Sequence, residues 1–268
     1  METYDIIILS MKNTFYKIFN PKLDRKLRIV LISDLHDRPS EKIIKRLSEL
    51  KPDIIAIPGD LTSRLDCLEG NIAPNDNGKP ISHKSAFSLL DAAASIAPTY
   101  YSLGNHELCG HKYRINFNRT CLAENLSRIS QSGAVLLNDT FVNLGNIRIG
   151  GLTSGMTNPS LTPYTDWLEG FSASDDFKIL LCHHPEYYEK HLRELNVDLI
   201  LSGHAHGGQI RLFGQGLFAP AQGFFPKYTS GVHENRMVVG RGLANTVRLI
   251  PRLFNPTELV TVDLIPKA

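Results

Sequence analysis

Five continuous apolar segments constrain the fold of this 268-residue chain. Each is rich in β-branched or aliphatic residues, which is typical of a strand buried on both faces. These segments are 27–33, 53–59, 99–104, 177–182 and 197–203. Helical patterns fall at 40–51, 82–97, 121–132 and near 186–195. Strands that alternate with helices predict an α/β fold in which helices cover the sheets.

Local signals refine this assignment. Ser40 can cap the first helix, whose apolar face consists of Ile43, Ile44, Leu47 and Leu50. Gly133 follows the third helix as a typical C-terminal residue. The stretch 134–152 reads as a β-meander, which argues against an all-parallel sheet. Further strands are predicted at 236–242 and 259–265, and 65–81 is predicted to be a loop.

Each of the five apolar segments is followed at once by a residue that can bind a metal. These residues are Asp34 and His36, then Asp60, then Asn105 and His106, then His183, and finally His204 and His206. Ligands of layered α/β folds bind beyond the carboxyl ends of the strands, so the five ends can converge on one site. Any one of these residues alone is more typical of a turn or a helix cap. It is the repetition at five successive strand ends that favours a shared site.

The residue types and spacings point to metal binding. In extended chain, residues i and i+2 point to the same side, so the D-x-H and H-x-H pairs can each reach one cluster. Neighbouring glycines allow the backbone to approach a metal or phosphate closely. Carboxylate, imidazole and amide ligands without thiolate suit Mn, Fe, Zn or Ni.

The ordered motifs "SDLH", "GD", "GNHE", H-x-P and "GHAHGGQ" resemble the calcineurin-like metallophosphoesterase superfamily. The resemblance is strongest to a small bacterial branch that includes UDP-diacylglucosamine pyrophosphatases, and it extends from about Leu27 to Ile265. It implies one domain over residues 1–268, built as a four-layer α/β/β/α sandwich of two mixed β-sheets flanked by helices. It also implies a metal-dependent phosphoester hydrolase that acts on a small phosphorylated substrate.

The resemblance assigns a role to each site residue. Asp34, His36 and His206 would hold a first metal ion, while Asn105, His183 and His204 would hold a second. Asp60 would bridge the two ions, and His106 would act on the scissile phosphate as the catalytic residue. Two divalent or trivalent ions would activate a bridging hydroxide for in-line attack on a phosphodiester, pyrophosphate or phosphomonoester. The H-x-P spacing selects His183 over His184, and His184, His111, His191 and His233 are assigned to packing.

Two positions depart from the family pattern. Asp37 stands where the family often has glycine, and it would add local charge or hydrogen-bond a ligand. Ser63 stands where one branch has an aspartate that orients the catalytic histidine, with Asp66 as a substitute candidate. Arg64 is either a phosphate ligand or a surface residue.

Composition narrows the classes of partner and the cellular location that we expect for the protein. The net charge of +2 without a basic run argues against nucleic acid, and four scattered cysteines fit a cytoplasmic protein. The apolar run 6–9 is too short to span a bilayer. The apolar stretches 15–19 and 217–226 are either part of the core or a peripheral membrane contact. A membrane contact would suit a membrane-surface pyrophosphatase that acts on a nucleotide-linked lipid. The sequence is also compatible with a catalytically silent metal-binding scaffold or with a plain structural domain.

Overall fold

A computed structural model of the chain describes residues 11–65, 70, 80–107, 119–155, 162–244 and 251–267. Its helices are α1 (Glu41–Leu50), α2 (Lys84–Ile96), α3 (Arg119–Gln131) and α4 (Trp167–Ser172). A π-helical turn covers Tyr188–Leu192, and a 3-10 turn covers His206–Gly208. The strands are β1 (Lys12–Asn20), β2 (Leu27–Leu31), β3 (Ile54–Ile57), β4 (Thr99–Tyr101), β5 (Val135–Leu136), β6 (Thr140–Leu144), β7 (Ile147–Leu152), β8 (Phe177–Cys182), β9 (Leu199–Ser202), β10 (Arg211–Leu212), β11 (Gln215–Gly216), β12 (Phe218–Ala219), β13 (Gly223–Phe224), β14 (Gly231–His233), β15 (Met237–Val239) and β16 (Glu258–Pro266).

Two mixed six-stranded sheets organise the described residues. The first has the strand order β1-β16-β2-β3-β4-β5, in which only the β16–β2 pair is antiparallel. The second has the order β14-β15-β9-β8-β7-β6, with antiparallel pairs at its two edges. Two small antiparallel pairs, β10–β11 and β12–β13, follow β9 outside the sheets.

Three apolar clusters lie between the layers. The first packs α1, α2 and α3 against one sheet and includes Leu47, Leu89 and Ile129. The second fills the space between the two sheets. The third packs α4 and the π-helical turn against the other sheet, with Phe171 and Leu192 among its members. The layers therefore form the predicted α/β/β/α sandwich.

One of the two predicted helix-end residues makes a different contact from the predicted one. Ser40 precedes α1, but its hydroxyl donates to the Ser85 carbonyl (3.0 Å) near the start of α2 instead of capping its own helix. Ile43, Leu47 and Leu50 are buried as predicted, and Gly133 ends α3 with φ 87°.

The β-meander prediction for 134–152 is wrong. β5 joins the first sheet beside β4, whereas β6 and β7 form a hairpin in the second. The chain crosses between the sheets at Leu137, which is buried, and turns at Asp139, which has φ 52°. Apolar periodicity identifies the strands there but not the sheet that each one joins.

Three other segments refine the sequence predictions. The helix predicted near 186–195 is reduced to the π-helical turn, which starts three residues after Pro185. Residues 15–19 belong to the edge strand β1, in which Ile18 is part of the core between the sheets while Phe15 and Phe19 are about half exposed. The described part of the loop 65–81 contains no helix or extended strand. Among the described residues, no helix is long and apolar enough to cross a membrane.

Candidate metal centre

The carboxyl ends of five strands from both sheets meet at one edge of the sandwich. β2, β3 and β4 are parallel neighbours in the first sheet, and the residues after them include Asp34, Asp60 and Asn105. β8 and β9 are parallel neighbours in the second sheet, and His183 and His204 follow them. The topology thus brings the predicted ligands of both halves of the chain together.

Among the described residues, four groups of histidine and acidic side chains could hold a metal ion. Two of them include residues outside the predicted ligand set: His36 and Asp60 with His106, and His204 with His184 and Glu186. The other two groups consist of predicted ligands alone. Asp34, His36 and His206 offer ligand atoms within 4.8 Å of one another. Asp60, His183 and His204 form a second such group. The Asp60 Oδ2 atom lies 3.0 Å from the His183 Nε2 atom and 3.8 Å from the His36 Nε2 atom. Asp60 therefore lies where a carboxylate shared by two ions would be needed.

Asn105 and His106 lie at the more accessible side of the centre, where both are partly exposed. The His106 backbone N–H donates to the Asp60 Oδ1 atom at 2.8 Å. The His106 ring meets the His36 ring edge to face, with their centroids 4.6 Å apart. His106 is thus anchored to the central carboxylate through its backbone while its ring can still meet a substrate.

The backbone at the centre is unusual for non-glycine residues. Five of the seven predicted ligands have positive φ angles between 45° and 65°, namely Asp34, His36, Asp60, His204 and His206. Cross-strand bonds hold some of these turns: the Asp34 N–H donates to the Gly59 carbonyl (3.3 Å), and the His36 N–H donates to the Asp60 carbonyl (3.1 Å). Left-handed conformations of such residues cost energy and concentrate at functional sites.

Glycines allow the strand ends to pack this closely. A Cβ atom on Gly203 would lie 2.5 Å from the Asp34 Oδ2 atom, and one on Gly242 would lie 2.7 Å from the Asp34 Cβ atom. Gly242 also has a φ of 74°, which favours glycine.

The buried polar atoms of the centre fit a metal site. Several ligand-type atoms have no hydrogen-bond partner among the described residues: Asp34 Oδ2, His36 Nε2, Asn105 Oδ1, His183 Nδ1 and His204 Nε2. Burial without a partner is costly for such groups, and metal coordination would satisfy them. The donor set of oxygens and imidazoles suits Mn, Fe, Zn or Ni.

Electrostatics favour neutral imidazoles at two positions. Burial lowers the pKa of His36 and of His204 well below the usual value, and neighbouring histidines lower it further. Burial also opposes the charged form of His183, but the adjacent Asp60 carboxylate outweighs it and raises the pKa of His183 to about 9. A proton on His183 would thus compete with a metal ion for the same nitrogen.

Comparison with known proteins assigns the family. A family model described as calcineurin-like phosphoesterase matches residues 27–208. The chain belongs to the calcineurin-like phosphoesterase family. A metallophosphoesterase of Campylobacter jejuni is 29% identical over 256 residues, covering 91% of this chain and 60% of its own length. Phosphodiesterase YaeI of Escherichia coli is 27% identical over 253 residues, covering 89% of this chain and 82% of its own.

The present chain therefore spans about three fifths of the Campylobacter relative. A crystal structure of TT1561 of Thermus thermophilus aligns with 67% of this chain and 82% of its own, at a TM-score of 0.42 and 16% identity. The more specific resemblance to UDP-diacylglucosamine pyrophosphatases stays a prediction.

The two departures from the family pattern have structural explanations. Asp37 accepts a hydrogen bond from the Ser63 backbone N–H (2.8 Å) and lies 3.2 Å from the Nδ1 atom of buried His83. It therefore ties two loops together, and neither of these partners is a predicted metal ligand. Ser63 is thus held by Asp37, while Asp66, the proposed substitute, lies outside the described residues. Arg64 is 1% exposed, so its interpretation as a surface residue is wrong.

The second histidine of "CHHP" lies closer to the centre than predicted. His184 is buried, and its ring centroid is 4.1 Å from that of His204. Its Nε2 atom lies 2.6 Å from the Ser154 hydroxyl and its Nδ1 atom 2.9 Å from Glu186. His184 thus packs behind a predicted ligand with both nitrogens engaged. His191 and His233 pack against tyrosine rings as expected, and His111 lies outside the described residues.

Glu107, in the family motif "GNHE", has a structural role that sequence analysis missed. Its buried carboxylate accepts bonds from the backbone N–H groups of Asp60 (3.0 Å), Thr62 (3.2 Å) and Gly104 (2.7 Å), and from the Tyr101 hydroxyl (2.7 Å). Burial and the nearby Asp60 carboxylate raise the pKa of Glu107 to about 7. One side chain therefore joins the turns after β3 and β4. The signal available in the sequence was an acidic residue directly after a predicted catalytic histidine.

Asn255 was also missed. It is fully buried, and its side-chain amide donates to the carbonyls of His206 (2.7 Å) and Gln209 (3.1 Å). It thereby fixes the turn that carries one predicted ligand. In the sequence, Asn255 is 46 residues from that turn and looks like an ordinary loop residue before proline.

Proposed function

We propose that this chain is a metal-dependent phosphoester hydrolase with a two-metal centre. The position of the Asp60 carboxylate between His183 and His36, where two groups of buried ligand-type side chains meet, supports this assignment most directly. Asp34, His36 and His206 would hold one ion, and His183 and His204 with Asn105 would hold the other. Two such ions would neutralise phosphate oxygens and lower the pKa of a water molecule to supply the nucleophile.

The chain's own residues would position the reacting groups. The Asp60 backbone is fixed by Glu107 and its side chain by the His106 N–H, so the central carboxylate keeps one orientation. Because His106 is partly exposed beside His36, it can donate to the phosphate or to the departing oxygen.

We further propose that the substrate is a small phosphodiester or pyrophosphate. The name of the Escherichia coli relative, a phosphodiesterase, supports a diester. Phosphomonoesters are the alternative. The comparison of bis-nitrophenyl phosphate with nitrophenyl phosphate under Mn separates the two, and a strong preference for the monoester would contradict the diester assignment.

Metal content tests the centre itself. After chelation and reconstitution with Mn, Fe, Zn or Ni in turn, wild type should retain about two ions per chain. Asp60→Asn should weaken both sites, because the carboxylate is shared. His191→Gln provides a matched control, since His191 lies outside the centre. Wild type with less than about one ion per chain would refute the two-metal proposal.

Turnover tests the role of His106 and excludes a silent scaffold. His106→Asn should keep its metals and lose activity by about a hundredfold to ten-thousandfold, as expected for a positioned acid. Unchanged turnover on a substrate with a poor leaving group would show that His106 is not the acid. Wild type that binds two ions and hydrolyses none of the tested phosphate esters would instead support the scaffold.

A further inference from the structure

An exposed apolar surface lies beside the metal centre. We call it the aromatic face and define it by Leu212, Phe213, Phe218, Phe224, Phe225 and Phe254. Phe213 is fully exposed, and Phe224, Phe225 and Phe254 are exposed by 79%, 72% and 74%. Large apolar side chains grouped on a surface indicate an interaction site, whereas single ones are ordinary.

Backbone hydrogen bonds join the segments of the aromatic face into one surface. The Arg211 N–H donates to the Leu253 carbonyl (3.0 Å), which links the turn of Phe213 to that of Phe254. The Leu217 N–H donates to the Ile210 carbonyl (2.9 Å), and the Phe225 N–H donates to the Leu217 carbonyl (2.9 Å). The rings therefore project from neighbouring turns of one scaffold.

Three of these phenylalanines have backbone conformations that are unfavourable for bulky side chains. Phe213, Phe225 and Phe254 have φ angles of 50°, 51° and 53°. In this left-handed region glycine or asparagine is favoured, and a bulky residue is strained. These three rings are also exposed by more than two thirds, so burial within this chain does not offset the strain. An external partner that receives the rings would account for both features.

Two cationic groups lie beside the rings, those of Arg211 and Arg241. Lys227 is instead paired with Glu189 at 2.6 Å. A cavity of about 460 Å³ is lined by Arg211 and Arg241 together with Phe213 and Phe254. The Nε atom of Arg241 has no hydrogen-bond partner among the described residues and lies 3.6 Å from the Glu258 carboxylate. The aromatic face thus combines apolar tips with cationic groups.

We propose that the aromatic face docks the protein on a lipid surface that carries anionic headgroups. Aromatic side chains bind at the interfacial level of a bilayer, and neighbouring cations are attracted to anionic lipids. A second copy of this chain would bring the same positive charge against itself, which disfavours self-association through this face. Anionic headgroups complement both the charge and the projecting rings.

Docking would place the metal centre next to the lipid surface. Asn255, which follows Phe254, holds the His206 carbonyl, and the Arg211 guanidinium donates to the Gly207 carbonyl at 2.8 Å. The phosphate of a lipid-linked substrate would then lie within reach of the centre. This consequence rests on the proposed hydrolase function, whereas docking itself does not.

Vesicle binding tests the proposal without any measurement of turnover. The metal-loaded protein is centrifuged with vesicles of phosphatidylcholine alone or of phosphatidylcholine mixed with phosphatidylglycerol. Wild type should bind the mixed vesicles, and raised salt should weaken binding. The double variant Phe213→Ser and Phe254→Ser should bind at least about tenfold more weakly, because each ring loses its apolar burial. Arg241→Gln should reduce the preference for the mixed vesicles.

A matched control is available on the same chain. Phe15 and Phe19 are 51% and 52% exposed on β1, outside the aromatic face. Their double substitution to serine should leave vesicle binding unchanged. Unchanged Tm and metal content in each double variant would show that it is folded.

Three results would overturn the proposal. One is equal binding of wild type to neutral and mixed vesicles. Another is equal loss of binding in the control and in the Phe213→Ser, Phe254→Ser variant. The third is a wild-type dimer that the latter variant abolishes, with no vesicle binding, which would identify the aromatic face as an interface between copies.

Discussion

Replacement of Asn255 by alanine should loosen one half of the metal centre while leaving the fold in place. The Asn255 amide donates to the His206 and Gln209 carbonyls, and its carbonyl accepts from Arg252 at 3.3 Å. The alanine variant removes the side-chain donor from both backbone carbonyls, although the His206 carbonyl still accepts from the Gln209 N–H at 3.2 Å. Because the side chain is fully buried, water cannot replace it without rearrangement.

The magnitude follows from the two lost bonds and the strain that they hold. Each bond contributes about 0.5–1.5 kcal/mol, so the pair contributes about 1–3 kcal/mol. His206 and Gln209 have φ angles of 45° and 59°. A left-handed residue costs roughly 1–2 kcal/mol, so the loss is comparable to the strain, and the turn should adopt other conformations. Converted to affinity, about 1–3 kcal/mol corresponds to roughly fivefold to 150-fold weaker metal binding.

The assay is a metal titration against a competing chelator, with both binding constants fitted. Since His206 belongs to the group with Asp34 and His36, only one constant should fall by this amount. Asn143→Ala is the control, because Asn143 is exposed on β6. If Asn255→Ala binds both ions as wild type does, with an unchanged Tm, the side chain does not hold the turn and the reasoning is wrong.

Four further substitutions test other parts of the centre. Glu107→Gln should lower the free energy of unfolding of the metal-loaded protein in urea by about 1–3 kcal/mol, because an amide NH₂ cannot accept the bonds that the carboxylate accepts; no change would contradict its joining role. His183→Gln should lose metal, whereas His184→Gln should keep its metal content and show a lower Tm, and the reverse result would place the ligand at His184. Gly203→Ala should reduce metal content, since the added Cβ atom would lie 2.5 Å from an Asp34 oxygen, and full metal content would show that the strand end can shift.

Apolar patterns in the sequence were sufficient to predict an α/β fold and the meeting point of the strand ends, whereas the four-layer sandwich was predicted by the family resemblance. Buried parallel strands have continuous apolar segments, and parallel neighbours place their carboxyl ends together. The segment 177–182 agrees with β8 at both ends. The sequence was not sufficient at Leu137, where the chain leaves one sheet for the other. Two short apolar segments separated by a turn suit a hairpin equally well, and only the packing of Leu137 between the sheets decides.

The residues that position the ligands were harder to predict than the ligands themselves. Asp34 or His183 can be recognised because its chemistry and its place after a strand coincide. Glu107 and Asn255 act through backbone groups that are distant in sequence, at Asp60 and His206. No local sequence pattern indicates such a contact, because a hydrogen bond from a side chain to a backbone group requires no particular residue type at the backbone position.

The predicted ligands with left-handed backbone conformations show how the positioning residues and the site depend on each other. At roughly 1–2 kcal/mol each, five such conformations together approach the net stability of a typical domain, about 5–15 kcal/mol. The intrinsic backbone preferences of Asp34, His36 and Asp60 would therefore favour other turn conformations. Tertiary contacts must impose the observed conformations. The bond from the His36 N–H to the Asp60 carbonyl and the four bonds to Glu107 supply such contacts. These contacts join the strand ends of the first sheet. The His204 N–H, which follows β9 of the second sheet, donates to the Asp34 Oδ1 atom at 3.0 Å and joins the two sheets. The site is therefore a property of the whole sandwich and not of any single motif.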